Sequence, residues 1–210
     1  MKLSCGLSEE GVVVGNTFDK YGSGNIIVRK IMRGFDSSLQ ELVTKAKPSS
    51  IHEVGCGEGY WTLKFKARGF EVRGSDFSNT VIELADKNAN DNGFPPGLFA
   101  ARSIYDLEPG RDSAELLLCC EVLEHLEKPR EALRVLQKIA RKNVILSVPR
   151  EPLWRVLNMA RGKYWSDLGN TPGHVQHWSR RDFVGLVCQF FEVMEVRTPV
   201  PWTMLLCRAL

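Results

Sequence analysis

The stretch Glu53-Val54-Gly55-Cys56-Gly57-Glu58-Gly59 follows an apolar run that ends at Val54 and precedes a helical pattern that opens at Tyr60. Glycines at alternate positions between a strand and a helix permit a tight turn and let a ligand approach the backbone closely. Asp76 ends the next strand-like run about 20 residues on, where a carboxylate can accept both hydroxyls of a ribose. Loop and carboxylate together point to a nucleoside ligand.

Outward from this loop, apolar runs at 51–54, 71–75, 98–104, 115–120 and 143–148 read as strands. Helical patterns at 60–68, 79–90 and 129–140 alternate with them. Such alternation predicts an α/β fold, a mostly parallel Rossmann-like sheet with helices on both faces. The ending differs, because 191–197 and 202–208 are joined by Thr198-Pro199-Val200-Pro201 and not by a helix. That predicts an antiparallel hairpin at the sheet edge, which brings the sheet to seven strands. Upstream, Ile27, Ile31, Phe35, Leu39, Leu42 and Val43 recur at helical intervals over 26–46, an amphipathic helix or two ended before Pro48. Residues 1–24 mix Gly, Ser, Asn and Asp with the run Val12-Val13-Val14 and read as a loose arm. The chain is thus divided into an arm with helices over 1–47 and one domain over 48–210. Within that domain 149–179 lacks strand character, at a length beyond the ~12 to 15 residues usual for a plain loop, and reads as a lid.

At 210 residues, with 43% hydrophobic and 25% charged residues, the chain suits one packed domain. The 28 basic and 25 acidic residues leave a formal charge of +3, without the concentrated basic character of a dedicated nucleic-acid binder, so a small-molecule substrate is expected and no nucleic acid. No apolar stretch approaches the ~18 residues that span a bilayer and no signal-peptide core opens the chain, which places it in the cytoplasm by expectation. Cysteines at 5, 56, 119, 120, 188 and 207 form no C-x-x-C pair and read as small buried hydrophobes, not as a zinc knuckle or disulfide framework.

The run 115–120 leads into Glu121-Val122-Leu123-Glu124-His125-Leu126. With the glycine loop at its separation upstream, this string gives the chain a resemblance to the class I S-adenosylmethionine-dependent methyltransferases over roughly residues 50–210. A parallel sheet closed by an antiparallel pair matches the sheet of that class, where a nicotinamide-binding Rossmann domain repeats its βαβ halves. The resemblance implies S-adenosylmethionine as cofactor. Gly55 and Gly57, with Cys56 and Gly59, would let the loop approach the cofactor's amino-acid end, and Glu53 and Cys120 to Val122 would line its methionine portion. Asp76 would hold the ribose, Phe77 would pack on the adenine, and Ser103 and Ile104 would sit by the adenine edge. Many relatives carry an acidic residue where Ser103 falls, so this chain departs from the usual acceptor for the adenine amine.

A sulfonium methyl is already electrophilic, so the protein mainly aligns an acceptor lone pair behind it. An amine attacks once neutral, whereas a phenol or alcohol needs a base or a Lewis acid to shed its proton. Glu121, Glu124 and His125 stand where the fourth strand runs into its loop, and His174-Val175-Gln176-His177-Trp178 adds imidazoles from the lid segment. Glu121, Glu124, His125 and His174 resemble the divalent-metal set of small-RNA 3′-terminal 2′-O-methyltransferases, and the E-V-L-E-H string is also similar to ubiquinone-pathway O-methyltransferases. Two readings stay open: a divalent-metal shell of these four residues, or His125 as base with Glu121 and His174 beside it, Glu124 capping a helix. The expected activity is O-methylation of a small hydroxylated, aromatic or prenylated acceptor. The alternatives are C- or N-methylation of a natural product or sugar, and a non-catalytic S-adenosylmethionine-binding module. The arginine-edged apolar segment 152–165 reads either as part of the lid or as a peripheral membrane contact.

Overall fold

The computed structural model describes residues 1–4, 6, 8, 9, 12, 13, 15 and 21–210. Two short strands, β1 (Ser8–Glu9) and β2 (Val12–Val13), pair antiparallel in the arm. They are followed by α1 (Ile26–Ala46), β3 (Ser50–Val54), α2 (Tyr60–Ala67), β4 (Glu71–Asp76), α3 (Asn79–Asp91) and β5 (Phe99–Ala101). The second half comprises β6 (Ala114–Cys120), α4 (Pro129–Ile139), β7 (Ala140–Pro149), α5 (Leu153–Ala160), α6 (Arg180–Val187), β8 (Phe191–Arg197) and β9 (Trp202–Ala209). The main sheet has seven strands in the order β5-β4-β3-β6-β7-β9-β8. Neighbours from β5 to β7 pair parallel, and β9 runs antiparallel to both β7 and β8. The expected α/β fold with its C-terminal antiparallel hairpin is therefore the fold observed.

Strand β6 explains the layering. Leu116 to Cys119 form an unbroken buried run, as a strand covered on both faces requires. Leu117 and Cys119 point into a core closed by Leu133 and Leu136 of α4 and Phe183 of α6. Leu116 and Leu118 point the other way, onto Phe35 and Leu39 of α1 and Trp61 and Phe65 of α2. α1 is one helix of 21 residues, started by Asn25, whose Oδ1 accepts from the amides of Ile27 and Val28, and stopped at Lys47 in the left-handed conformation. Ser78 and Ser179 cap α3 and α6 in the same way, each accepting from the amide three residues on.

Three expectations need correction. The run 98–104 is a strand only over Phe99–Ala101, because the Ser103 hydroxyl accepts from the Tyr105 amide and starts a 3-10 turn over Ile104–Asp106. The segment 149–179 has no strand beyond β7, as expected; it carries α5 and a 3-10 turn at Trp165–Asp167, and Arg150 bridges Trp178 at its base. The arm is not loose where it is described: Lys2 donates its amide to Asn88 Oδ1 at 2.7 Å, and Ser4 is buried; Val14 lies outside the described residues. Cys56, Cys119 and Cys207 are buried as expected, but Cys188 ends α6 on the solvent side, and Cys5 is outside the described residues.

His52 on β3 is buried between elements. Its Nδ1–H donates to the Asp112 carbonyl at 2.7 Å and its Nε2 accepts from the Ser75 hydroxyl at 2.9 Å, which satisfies the neutral ring. Burial, followed by the nearby Arg73 charge and opposed by the Asp112 carbonyl, pulls its pKa down to about 4 from an ordinary 6.5. The unfolded chain therefore takes up a proton that the fold refuses, and this stabilisation is complete above pH 6.5 and falls as the pH drops toward 4, by roughly 3 kcal/mol. Urea unfolding of wild type and His52→Gln between pH 7.5 and 4 should show a shallower pH dependence in the variant; parallel curves would contradict the buried neutral ring.

Candidate active site

The sheet order reverses between β3 and β6, and open α/β sheets bind their ligands in the crevice outside the carboxyl ends of the strands at such a switch point. Gly55 leaves β3 there and Glu121 leaves β6. The two ends touch: Gly55 has φ 76°, and a Cβ on it would lie 2.3 Å from Val122 Cγ2. Only glycine meets both the left-handed backbone and the close approach. The amides of Gly55 and Cys56 donate to the Ser75 carbonyl, which turns the loop across the end of β4.

Asp76 ends β4 beside this loop. Its Oδ2 accepts from the Gly57 amide at 3.0 Å and its Oδ1 from the Ser78 amide at 3.2 Å. Burial raises its pKa, the two amides work against that, and the Glu58 charge adds to it. Phe77 next to it is 45% exposed, an aromatic face left open at the crevice. Ser103, half-buried, caps the turn that follows β5, while Ile104 is packed into the core with Leu107 and Leu123. Glu53 lies under the loop at 4% exposure, its Oε2 accepting from the amide and hydroxyl of Thr62. The Cys56 side chain turns inward against Gly74 and Phe99, and burial pushes its thiol well up. This burial matches its reading as a small buried hydrophobe.

Across the crevice, Glu121 takes φ 62°, a conformation that non-glycine residues adopt mainly under local constraint. The constraint is visible: Trp202 of β9 donates its indole N–H to Glu121 Oε2, and the Ser147 hydroxyl donates to Oε1 at 3.3 Å. A 3-10 turn over Leu123–His125 follows. The carbonyl of Glu124 accepts from the amides of Val175 and Gln176, which docks the segment before α6 on this turn. His125 donates Nδ1–H to the Gly173 carbonyl at 2.9 Å, which leaves the lone pair of the neutral ring on Nε2. His174 stands edge-on to His125 at 4.9 Å between ring centroids and stacks on Trp154 at 5.8 Å. Burial first, then the neighbouring His125 and His177, pull the His174 pKa down to about 3, so it is neutral at ordinary pH.

Ligand atoms of Glu124, His125 and His174 all lie within 4.8 Å of one another. Three of the expected four come together here; the fourth, Glu121, accepts from Trp202 and Ser147, and His177, outside that set, faces Glu151 at 3.9 Å. Sequence reading missed Trp202, Ser147 and Thr62, which hold the acidic residues in place. Nothing in their local pattern marks them, since each acts across the fold. Between β7 and α6, Trp154 bonds its indole N–H to Thr171 Oγ1, while Trp165 is 65% exposed.

Comparison with known proteins bears on this arrangement. A family described as a methyltransferase domain matches residues 28–190. Among curated relatives, the ubiquinone biosynthesis O-methyltransferase of Burkholderia vietnamiensis is 30% identical over 91 residues, 42% of this chain and 38% of the relative. The protein of the same description from Rickettsia conorii is 24% identical over 148 residues, 69% of this chain and 50% of the relative. The chain therefore spans half or less of the length of these two relatives. Among solved structures, magnesium protoporphyrin IX methyltransferase from Synechocystis PCC 6803 with bound SAH superposes with a TM-score of 0.68 at 20% identity, covering 91% of each chain.

The contact between Gly55 and Val122 yields a direct test. Gly55→Ala should cost about 1–3 kcal/mol in urea unfolding, through the positive φ and the clash together. Combining it with Val122→Ala should recover the steric share and leave the backbone share, a measurable coupling between the two positions. Strict additivity would mean that the strand ends do not meet there.

Proposed function

Because this chain belongs to the methyltransferase-domain family, matched over residues 28–190, we propose that it transfers a methyl group from S-adenosylmethionine to a small hydroxylated, aromatic or prenylated acceptor. The observation that carries the cofactor assignment is Asp76 at the strand end, bonded to the Gly57 amide so that carboxylate and glycine loop form one cradle. In this reading Asp76 holds the ribose, Phe77 covers the adenine, Ser103 and Ile104 border it, and Glu53 with Cys120 and Glu121 borders the methionine end. Asp76→Ala should weaken S-adenosylhomocysteine binding tenfold or more in calorimetry, in keeping with the ~1.5 to 3 kcal/mol of charged hydrogen bonds. Unchanged affinity would remove Asp76 from the site.

The O-methyl assignment rests on the cluster of Glu124, His125 and His174 and on the description of the curated relatives. One carboxylate and two neutral imidazoles make a sensible donor set for Mn, Co or Zn. The fit is supported by the Gly173 carbonyl, which orients His125 through its other nitrogen as outer partners of metal-bound histidines do. A divalent ion held there would acidify the acceptor hydroxyl. The same Gly173 contact also favours a metal-free version, since it aims His125 Nε2 to take the acceptor's proton directly. Trp154, stacked on His174, offers an aromatic surface beside the cluster. The exposed Val156, Trp165 and Leu168, with Arg161 and Lys163 between them, suit a lipid surface from which a prenylated acceptor is drawn. Among the described residues no helix is long and apolar enough to cross a membrane.

Chelation separates the two versions. With a metal, exhaustive EDTA treatment should abolish turnover of a phenolic acceptor and leave S-adenosylhomocysteine affinity unchanged, with Mn or Co restoring activity. With His125 as base, EDTA should have no effect and the rate should fall with the protonation of a histidine as pH drops. If alanine at both His125 and His174 keeps turnover within about threefold of wild type, below ~1 kcal/mol in the barrier, neither version holds.

A further inference from the structure

The arm before α1 ends near Tyr21, a residue without a role so far. Its ring lies face to face on Tyr60, with centroids 3.6 Å and planes 9° apart, and edge-on to Trp61 at 5.6 Å. Tyr60 opens α2 directly after Gly59, so this stack sits on the rim of the glycine loop. Burial, and then the charges of Glu53 and Glu121, hold the Tyr21 phenol well above its usual range. The arm is pinned beside the same loop at further points. The Ser4 amide and hydroxyl both donate to Glu58 Oε1, at 3.0 and 2.7 Å. Asn88 accepts from the Lys2 amide and donates to the Glu58 carbonyl. A Cβ on Gly15 would lie 2.5 Å from Glu58 Oε1, so the middle of the arm also presses on this side chain.

These anchors fall on Glu58 of the loop and on Tyr60 and Asn88 beside it, whereas Asp76 takes its bonds from Gly57 and Ser78. Lys2, Ser4 and Tyr21 thus dock beside the glycine loop, and none of these bonds falls on Asp76. Outside the stack an open groove of about 240 Å³, bordered by Arg29, Met32 and Asp36 of α1, gives the Tyr21 ring room to withdraw.

We infer that Tyr21 is a positioning residue of the cofactor site, its ring on Tyr60 closing the methionine end as a roof that must open for the cofactor to enter and leave. This rests on the S-adenosylmethionine reading above. The test uses the full chain, with S-adenosylhomocysteine as probe, calorimetry for affinity and stopped-flow tryptophan fluorescence for release. Tyr21→Ala should weaken binding tenfold or more and speed release by a similar factor. Tyr21→Phe, which keeps the stack, should return both to within about twofold of wild type, a rescue that a general loss of structure would not give. Tyr21→Ala within twofold of wild type overturns the inference, and so does tighter binding in Tyr21→Ala, which would make the ring a plug. Failure of the wild type to bind S-adenosylhomocysteine or S-adenosylmethionine would remove the cofactor reading itself, and the roof with it.

Discussion

Val122 occupies the space that any side chain on residue 55 would need. This approach clasps the carboxyl ends of β3 and β6, the two central strands where the sheet order reverses, and the geometry of the crevice follows from it. With Gly55 pressed on Val122, the glycine loop is directed toward Asp76, and Glu121 and the turn holding Glu124 and His125 are set on the opposite wall. Close packing makes such a contact all-or-none, because interiors accommodate a misplaced methyl group only by moving backbone.

The walls are unusually acidic for their depth. Glu53, Glu58 and Glu124 are each under 5% exposed, and Asp76 is buried enough to raise its pKa. Buried carboxylates persist only where hydrogen bonds or opposite charge compensate their lost hydration. Thr62 supplies two bonds to Glu53 and Ser4 supplies two to Glu58, so neutral donors carry much of that compensation. On the proposed reading a sulfonium cofactor brings positive charge into this surrounding, where it interacts more strongly than in water. The arm and the crevice are coupled by the same groups, since the carboxylate that Ser4 bonds belongs to the glycine loop itself.

What the sequence made legible was whatever local pattern dictates. The alternation of apolar runs predicted the sheet and its closing hairpin, and the glycine spacing predicted the loop, because both depend on backbone geometry within a few residues. The short β5 was overextended because Ser103 interrupts the run through its own hydroxyl, a one-residue effect hidden among apolar neighbours. Of the four residues proposed as a metal set, Glu121 stands apart from the cluster of Glu124, His125 and His174 for a different reason. Its fate is decided by Trp202, 81 residues away, and no spacing within the E-V-L-E-H string encodes a bond that β9 makes. The polar composition of the arm suggested looseness, yet among its described residues Lys2 and Ser4 are bonded to Asn88 and Glu58.

Strand β9 is inserted between β7 and β8 although it follows both in sequence. During synthesis, β3 to β7 can pair as they emerge, but β8 has no neighbour until β9 arrives to bridge it to the sheet. The indole that holds Glu121 arrives with that same strand. A nascent chain can therefore build its parallel half and still lack the wall that faces the glycine loop. The half-built sheet meanwhile presents the unpaired edge of β7, Val144 to Val148, a row of free backbone groups and buried-type side chains of the kind that recruits other strands. The late strand thus completes the crevice and seals the edge in one event, which ties the moment of functional maturity to the end of the chain's exposure to aggregation.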